Sequence, residues 1–179
     1  MGAEQVILVD ERDEPVGVAE KMKAHEQGWL HRAFSVFIFN SKGEMLLQRR
    51  ALHKYHSGGL WTNACCSHPC PGEEILLAAR RRLKEEMGFD VPVEKVFDFM
   101  YRTEFDNGLT EHEFDHVLAG EYDSKVEFNQ NEVMDYCYKD MQGIRLSLEE
   151  YPEKYTAWFH LAFPGIEEWW SRSYKDKIA

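Results

Sequence analysis

Cys66 and His68 sit two residues apart in a loop, and Glu86 closes the helix that follows. A thiol beside an imidazole offers a nucleophile, an acid, a base or a metal ligand. The loop reads Trp61-Thr-Asn-Ala-Cys-Cys-Ser-His-Pro-Cys-Pro-Gly-Glu73, and the helical run ends Arg81-Arg82-Leu83-Lys84-Glu85-Glu86-Met87-Gly88-Phe89. A second group is Glu111-His112-Glu113. On a strand, residues two apart share a face, so both carboxylates can reach one centre. The plainer alternative for that pair is a solvated acidic strand. Cys65, Cys66 and Cys70 crowd into six residues, poor spacing for a disulfide framework. A zinc knuckle fails on spacing too, for lack of a second Cys/His pair at the usual distance.

The elements around these groups follow from periodicity. Residues 6–9 read as a buried strand, 10–14 as a turn and 15–18 as its return; 20–26 form a short helix and 29–31 a loop. Residues 33–39 are apolar at nearly every position, the mark of a central strand buried on both faces. Residues 44–49 are its expected hairpin partner across Asn40-Ser-Lys-Gly43. Residues 50–59 form a loop. Leu76, Ala79, Leu83 and Met87 recur at helical spacing over 73–87, with Gly88 as the C-terminal cap. Residues 93–102 and 111–122 are two long strands joined through Asn107-Gly108, a strong turn dipeptide. Residues 132–138 make a further strand. Ser147 is expected to open a helix, and Pro164 to start the last one, since proline is favoured at the first helical position. The pattern is α+β with antiparallel hairpins, in one domain over residues 1–179.

Bulk composition narrows the function. The formal net charge of −11 argues against nucleic-acid binding, which wants a basic face. No apolar run reaches the roughly 18 residues of a membrane span, and the N-terminus lacks the pattern of a signal peptide. The expectation is a cytoplasmic protein with reduced thiols and no membrane partner, monomeric or homodimeric.

The helix spacing resembles the Nudix box: Ser67, five residues, Glu73, seven residues, then Arg81 to Phe89. It departs where Ser67 replaces the first Gly and Arg82 replaces a catalytic Glu. A guanidinium there removes a metal ligand and adds a planar phosphate binder, so a diphosphate could be held without being cleaved. The upstream Asn63-Ala-Cys-Cys66-Ser-His68-Pro69, with Trp61-Thr62, resembles the active-site loop of type 1 isopentenyl-diphosphate isomerases. That resemblance runs from Glu20-Lys21 to Trp158, in the family's order.

The resemblance implies a Nudix-like fold, with mixed and antiparallel sheets flanked by helices, and a set of roles. Cys66 and Glu113 would be the acid–base pair across a five-carbon alkene, Glu113 with Tyr101 protonating and Cys66 removing a proton as a thiolate, its pKa lowered by neighbouring cations. Which acts first depends on substrate pose. His25, His31, His68, Glu111 and Glu113 would hold a cation, and Mn²⁺, Mg²⁺ and Zn²⁺ all suit that donor set. Glu86 would hold Mg²⁺ with a small-molecule diphosphate substrate, gripped by Lys21, Arg50, Lys54 and Arg82. Trp158 would face the cationic intermediate. His53, His56, His112, His116 and His160 match no motif and are expected at the surface or in support. Phe114-Asp115-His116 and the doubled Cys65-Cys66 depart from the pattern without removing a catalytic group. The rival functions are a Nudix hydrolase acting on a nucleoside diphosphate derivative, and a zinc-binding or thiol redox module.

Overall fold

The central element is β3 (His31–Phe39), buried along nearly all its length. The computed structural model describes residues 4–173; Met1, Gly2 and Ala3, part of the stretch read as carrying no leader, lie outside them. β3 is buried because it serves two cores. Phe34, Val36 and Ile38 point to one side, against Ala79, Leu83 and Met87 of α2 (Ile75–Met87). Phe37 and Phe39 point to the other, against Phe159, Phe163 and Ile166 of α4 (Ala157–Ser173). Alternation of side chains along a strand makes this division unavoidable. Each fully buried phenylalanine contributes about 1.5–3 kcal/mol.

One edge of β3 pairs in parallel with β8 (Thr110–Glu121), from His31 opposite Glu113 to Phe39 opposite Glu121. The other edge is divided among three strands. β1 (Gln5–Val9) meets it at His31, β6 (Cys65–Ser67) at residues 34–36, and β4 (Met45–Arg50) at Phe39. β2 (Pro15–Glu20) pairs with β1, and β7 (Val93–Glu104) with β8. β5 (Trp61–Thr62) and β9 (Val133–Lys139) pair with β4. α1 (Lys21–Gln27) follows β2, and α3 (Met141–Glu150) follows β9. The α+β class is as expected. No helix among the described residues is long and apolar enough to cross a membrane.

Local expectations differ from the structure at several places; first, Cys66 lies on strand β6 and not in a loop. The β3–β4 hairpin is a single bridged pair, Phe39 with Met45; β4 turns away and takes β9 as its main partner. α3 starts at Met141, not Ser147, because the Asp140 carboxylate accepts from the Gly143 amide and caps it. α4 runs through Pro164. There Gly165 lets the helix meet Phe97 of β7, whose ring would collide with any Cβ. Finally, Leu76 is exposed, and the buried face of α2 carries Ala78, Ala79, Leu83, Glu86 and Met87. Gly88 caps that helix at φ +81°, where a side chain would also run into the Glu127 carbonyl.

Candidate active site

At one end of β3 the sheet opens into a cavity lined by side chains from α1, β3, the loop after β4, β6, α2, β7, β8 and α4. Cys66, Tyr101, Glu111, Glu113, Trp158, His68 and Glu86 all face it, together with Lys21, Arg50, Lys54 and Arg82. Thus the two residues expected to oppose each other, Cys66 and Glu113, share one chamber. His25 and His31 stand behind it, fully buried. Ser35, Tyr55, His56 and Ser67 also line the cavity, and no sequence pattern assigns any of them a catalytic or binding role.

Strand parity explains the doubled cysteine. Cys65 and Cys66 are consecutive on β6, so they face opposite sides. Cys65 enters the core beneath α2, whereas Cys66 enters the cavity. The same rule puts Glu111, Glu113 and Asp115 on one face of β8. β6 and β8 flank β3, which brings Cys66 opposite Ser35 and Glu113 opposite His31.

The Cys66 thiol donates to Asn63 Oδ1 at 3.1 Å and lies 3.3 Å from Ser35 Oγ. Ser35 donates in turn to the buried Asp115 carboxylate at 2.6 Å. Burial pushes the thiol's pKa well up, and Asp115 adds to this; the hydrogen bonds with Ser35 and Asn63 and the charge of Arg50 do not offset it. The expectation of a cation-lowered pKa is therefore corrected: the resting group is a thiol. The sequence pattern named the cations but not the carboxylate behind Ser35.

The Glu113 side is built differently. Tyr101 stands opposite Glu113 in the β7–β8 ladder, and its hydroxyl lies within hydrogen-bond distance of both Glu113 Oε2 (2.7 Å) and Glu111 Oε2 (2.9 Å). Glu113 Oε1 lies 2.9 Å from His68 Nε2 and 3.5 Å from His31 Nε2. Burial alone would raise Glu113, but the nearby His31 imidazole and the hydrogen bond from His68 hold it well below the usual carboxylate range. Burial and the neighbouring Glu113 charge push Glu111 the other way, so it keeps its proton. Burial likewise lowers His25 and His68 to about 4, leaving neutral imidazoles able to ligate.

These donors fit a divalent cation. His25, His31, His68 and Glu113 offer ligand atoms all within 4.8 Å of one another, and His25, His56 and Glu111 form a second such group. Nδ1 of His25 and of His31 is committed to the carbonyls of Lys21 and Trp29, each at 2.8 Å, which aims both Nε2 atoms inward. Those two buried nitrogens have no hydrogen-bond partner among the described residues, an arrangement that is costly unless a cation or proton joins them. Glu86 fits its expected ion less simply, since Arg82 Nη2 (2.6 Å) and Gln48 Nε2 (3.0 Å) already occupy its two oxygens.

The basic residues form the cavity's rim, and most are paired. Lys21 meets Glu4 at 3.1 Å, Lys54 pairs with Glu132, and Arg82 bridges Glu85 and Glu86 at 2.6 Å each. Arg50 lies over the Trp158 ring, 5.2 Å from its centroid. One ring face of Trp158 is thus already occupied by a cation. Of the histidines set aside, His53 is exposed, but His56 and His116 are buried; His116 Nε2 pairs with Asp13 at 2.9 Å. The Nudix-box pair Glu73 and Arg81 makes a two-pronged bridge, at 2.7 and 2.8 Å, and Glu73 also accepts from the Cys70 amide. This ties the cysteine loop to α2.

Residues 29–159 match the NUDIX domain. A protein of Pectobacterium atrosepticum named isopentenyl-diphosphate Delta-isomerase is 52% identical over 166 residues, covering 93% of each chain. One of Aromatoleum aromaticum, named isopentenyl-diphosphate Delta-isomerase 2, is 54% identical over 155 residues, covering 87% of this chain and 82% of that one. Among solved structures, the MutT protein from Methanosarcina mazei superposes with a TM-score of 0.63 at 20% identity, over 82% of this chain and 96% of that one, a likeness of fold. With its fold shared by the NUDIX proteins and about half its residues by these relatives, the chain belongs to the isopentenyl-diphosphate Delta-isomerases of the NUDIX family.

Proposed function

We propose that this protein interconverts isopentenyl and dimethylallyl diphosphates by moving one carbon–carbon double bond. The observation that carries this is the meeting of Cys66 and Glu113 in one buried chamber with a basic rim. An alkene is a weak base, so its protonation needs a strong acid away from water. Glu113, hydrogen-bonded to Tyr101, adds a proton to the terminal carbon and leaves a tertiary cation at C3. Cys66 takes a proton from C2, and the new double bond forms between C2 and C3. Lys21, Arg50, Lys54 and Arg82 hold the diphosphate and keep the chain oriented. When bound, a cation at His25, His31, His68, Glu111 and Glu113 supplies positive charge that fixes and polarises the carboxyl pair, and Mg²⁺ beside Glu86 would add charge against phosphate oxygens.

The resting charges bear on how the pair works. Cys66 holds a proton and Glu113 does not. The reactive distribution moves that one proton from sulfur to oxygen. It is the rarer state, yet it joins an unusually strong acid to an unusually strong base, because each pKa is displaced in the direction that sharpens the reactive form. The reverse reaction exchanges the two roles. Arg82 paired with Glu86 argues against hydrolysis, since that guanidinium stands where the hydrolases have a metal-binding carboxylate.

The test is incubation with isopentenyl diphosphate and Mg²⁺ in heavy water, followed by NMR. The expected result is the dimethylallyl isomer with deuterium entering the carbon skeleton. Phosphate release without bond migration would instead support a hydrolase.

A further inference from the structure

His56 occupies the loop between β4 and β5, where neither periodicity nor the family pattern marks a functional residue. Its ring lies flat on Phe105, centroids 4.6 Å apart at 9°, and meets Trp158 edge-on at 5.7 Å. The loop is contorted to allow this. Ser57 adopts φ +53°, and at Gly58 a side chain would collide with the Leu52 carbonyl. His56 is only 6% exposed, and its Nε2 has no hydrogen-bond partner among the described residues. Yet that nitrogen lies 3.1 Å from Glu111 Oε1. Two atoms so close that fail to make a hydrogen bond are not aimed at each other. That is the relation of two donors aimed at a common third point.

We propose that His56 Nε2 is a ligand of the cation at the His/Glu centre, entering beside Glu111 and His25. This holds only with that cluster taken as a cation centre, as above. The two donor groups share His25. Its Nδ1 is committed to the Lys21 carbonyl, so Nε2 is its one free lone pair and can serve one ion. Both groups must therefore close on the same ion. Neighbouring ligands at right angles, about 2.1 Å from a metal, are about 3.0 Å apart. The His68–Glu113 and His56–Glu111 separations, 2.9 and 3.1 Å, match this edge.

The centre then offers four imidazoles and two carboxylates. So nitrogen-rich a set favours zinc, cobalt or nickel over magnesium. A filled shell also leaves no position for a substrate oxygen, so the diphosphate falls to the basic rim.

The test uses the full chain loaded with zinc. X-ray absorption at the zinc edge should fit four imidazoles in the unaltered protein and three in His56→Ala. Zinc retention against a competing chelator should fall about 100-fold or more in the variant, at or beyond the range for losing a mere supporting contact. Bound zinc with three imidazoles in the unaltered protein would overturn the role of His56 and leave the centre standing. No bound zinc would overturn both. The unaltered protein's spectrum decides even if His56→Ala fails to fold.

Discussion

The two walls of the cavity set the charge of their acids in opposite ways. On the Cys66 wall a three-residue strand presents one thiol to a hydroxyl and an amide, with the Asp115 carboxylate behind. Burial dominates there and keeps the sulfur neutral. On the Glu113 wall two twelve-residue strands present a phenol and two carboxyls to a group of imidazoles. There specific partners outweigh burial and keep Glu113 charged. A buried acid whose partners do not offset its burial holds its proton, and one whose partners do gives it up. The site places one of each on either side of its cavity.

The largest expected effect comes from deleting either wall's acid–base group. Cys66→Ala and Glu113→Gln should each lower isomerisation by about 10³–10⁴-fold, toward the upper range for a lost general acid or base. Binding of inorganic diphosphate, measured by calorimetry, should stay within a few-fold of the unaltered protein. Near-normal turnover in either variant would remove the opposition of the two walls.

The pH profile sharpens the comparison. Catalysis needs one proton on the pair, whichever wall carries it. As pH falls, Glu113 takes up a proton while the thiol keeps its own, and no base remains. As pH rises, the thiol ionises and no acid remains. Because Glu113 is displaced downward and Cys66 upward, kcat should be level across the neutral range and decline only at the extremes. A decline centred near neutrality would mean that the walls are not polarised as described.

The smallest effect concerns the support of the thiol wall. Arg81 holds the Glu73 carboxyl at about 2. This pKa is depressed, so the contribution to stability is full above the ordinary carboxylate value of about 4.5 and disappears as pH falls through about 2. Glu73→Gln should cost about 1 kcal/mol near neutrality, allowing for the partial exposure of the pair, and progressively less toward pH 2. Thermal unfolding across that range measures it. A pH-independent loss would place the cost in packing and not in the ion pair.

How much of this was legible follows from the range of each interaction. The Cys66 loop, Glu111-His-Glu113 and the α2 box are local patterns, and residue spacing alone locates them. The burial of β3 was legible for the same reason. The exchange of a β3–β4 hairpin for the β4–β9 ladder was not, because pairing across more than eighty residues leaves no local mark. The protonated state of Cys66 comes from its burial among strands distant in sequence, with a smaller contribution from Asp115, which arrives from β8 beside Ser35. His56 lies in an aperiodic loop and becomes visible only when its neighbours in space are known. The start of α3 is a different case: Asp140 was a readable cap, passed over for Ser147.

The parallel pairing of β3 with β8 has a consequence for how the chain acquires its activity. His31 and Glu113 face each other across that ladder but lie far apart along the polypeptide. During synthesis, the cysteine loop is complete well before the strand that opposes it has been made. Closing so long a connection is entropically slow. The early fragment therefore carries imidazoles and thiols without the Glu111 and Glu113 carboxylates, and a divalent ion arriving late would draw β8 into register.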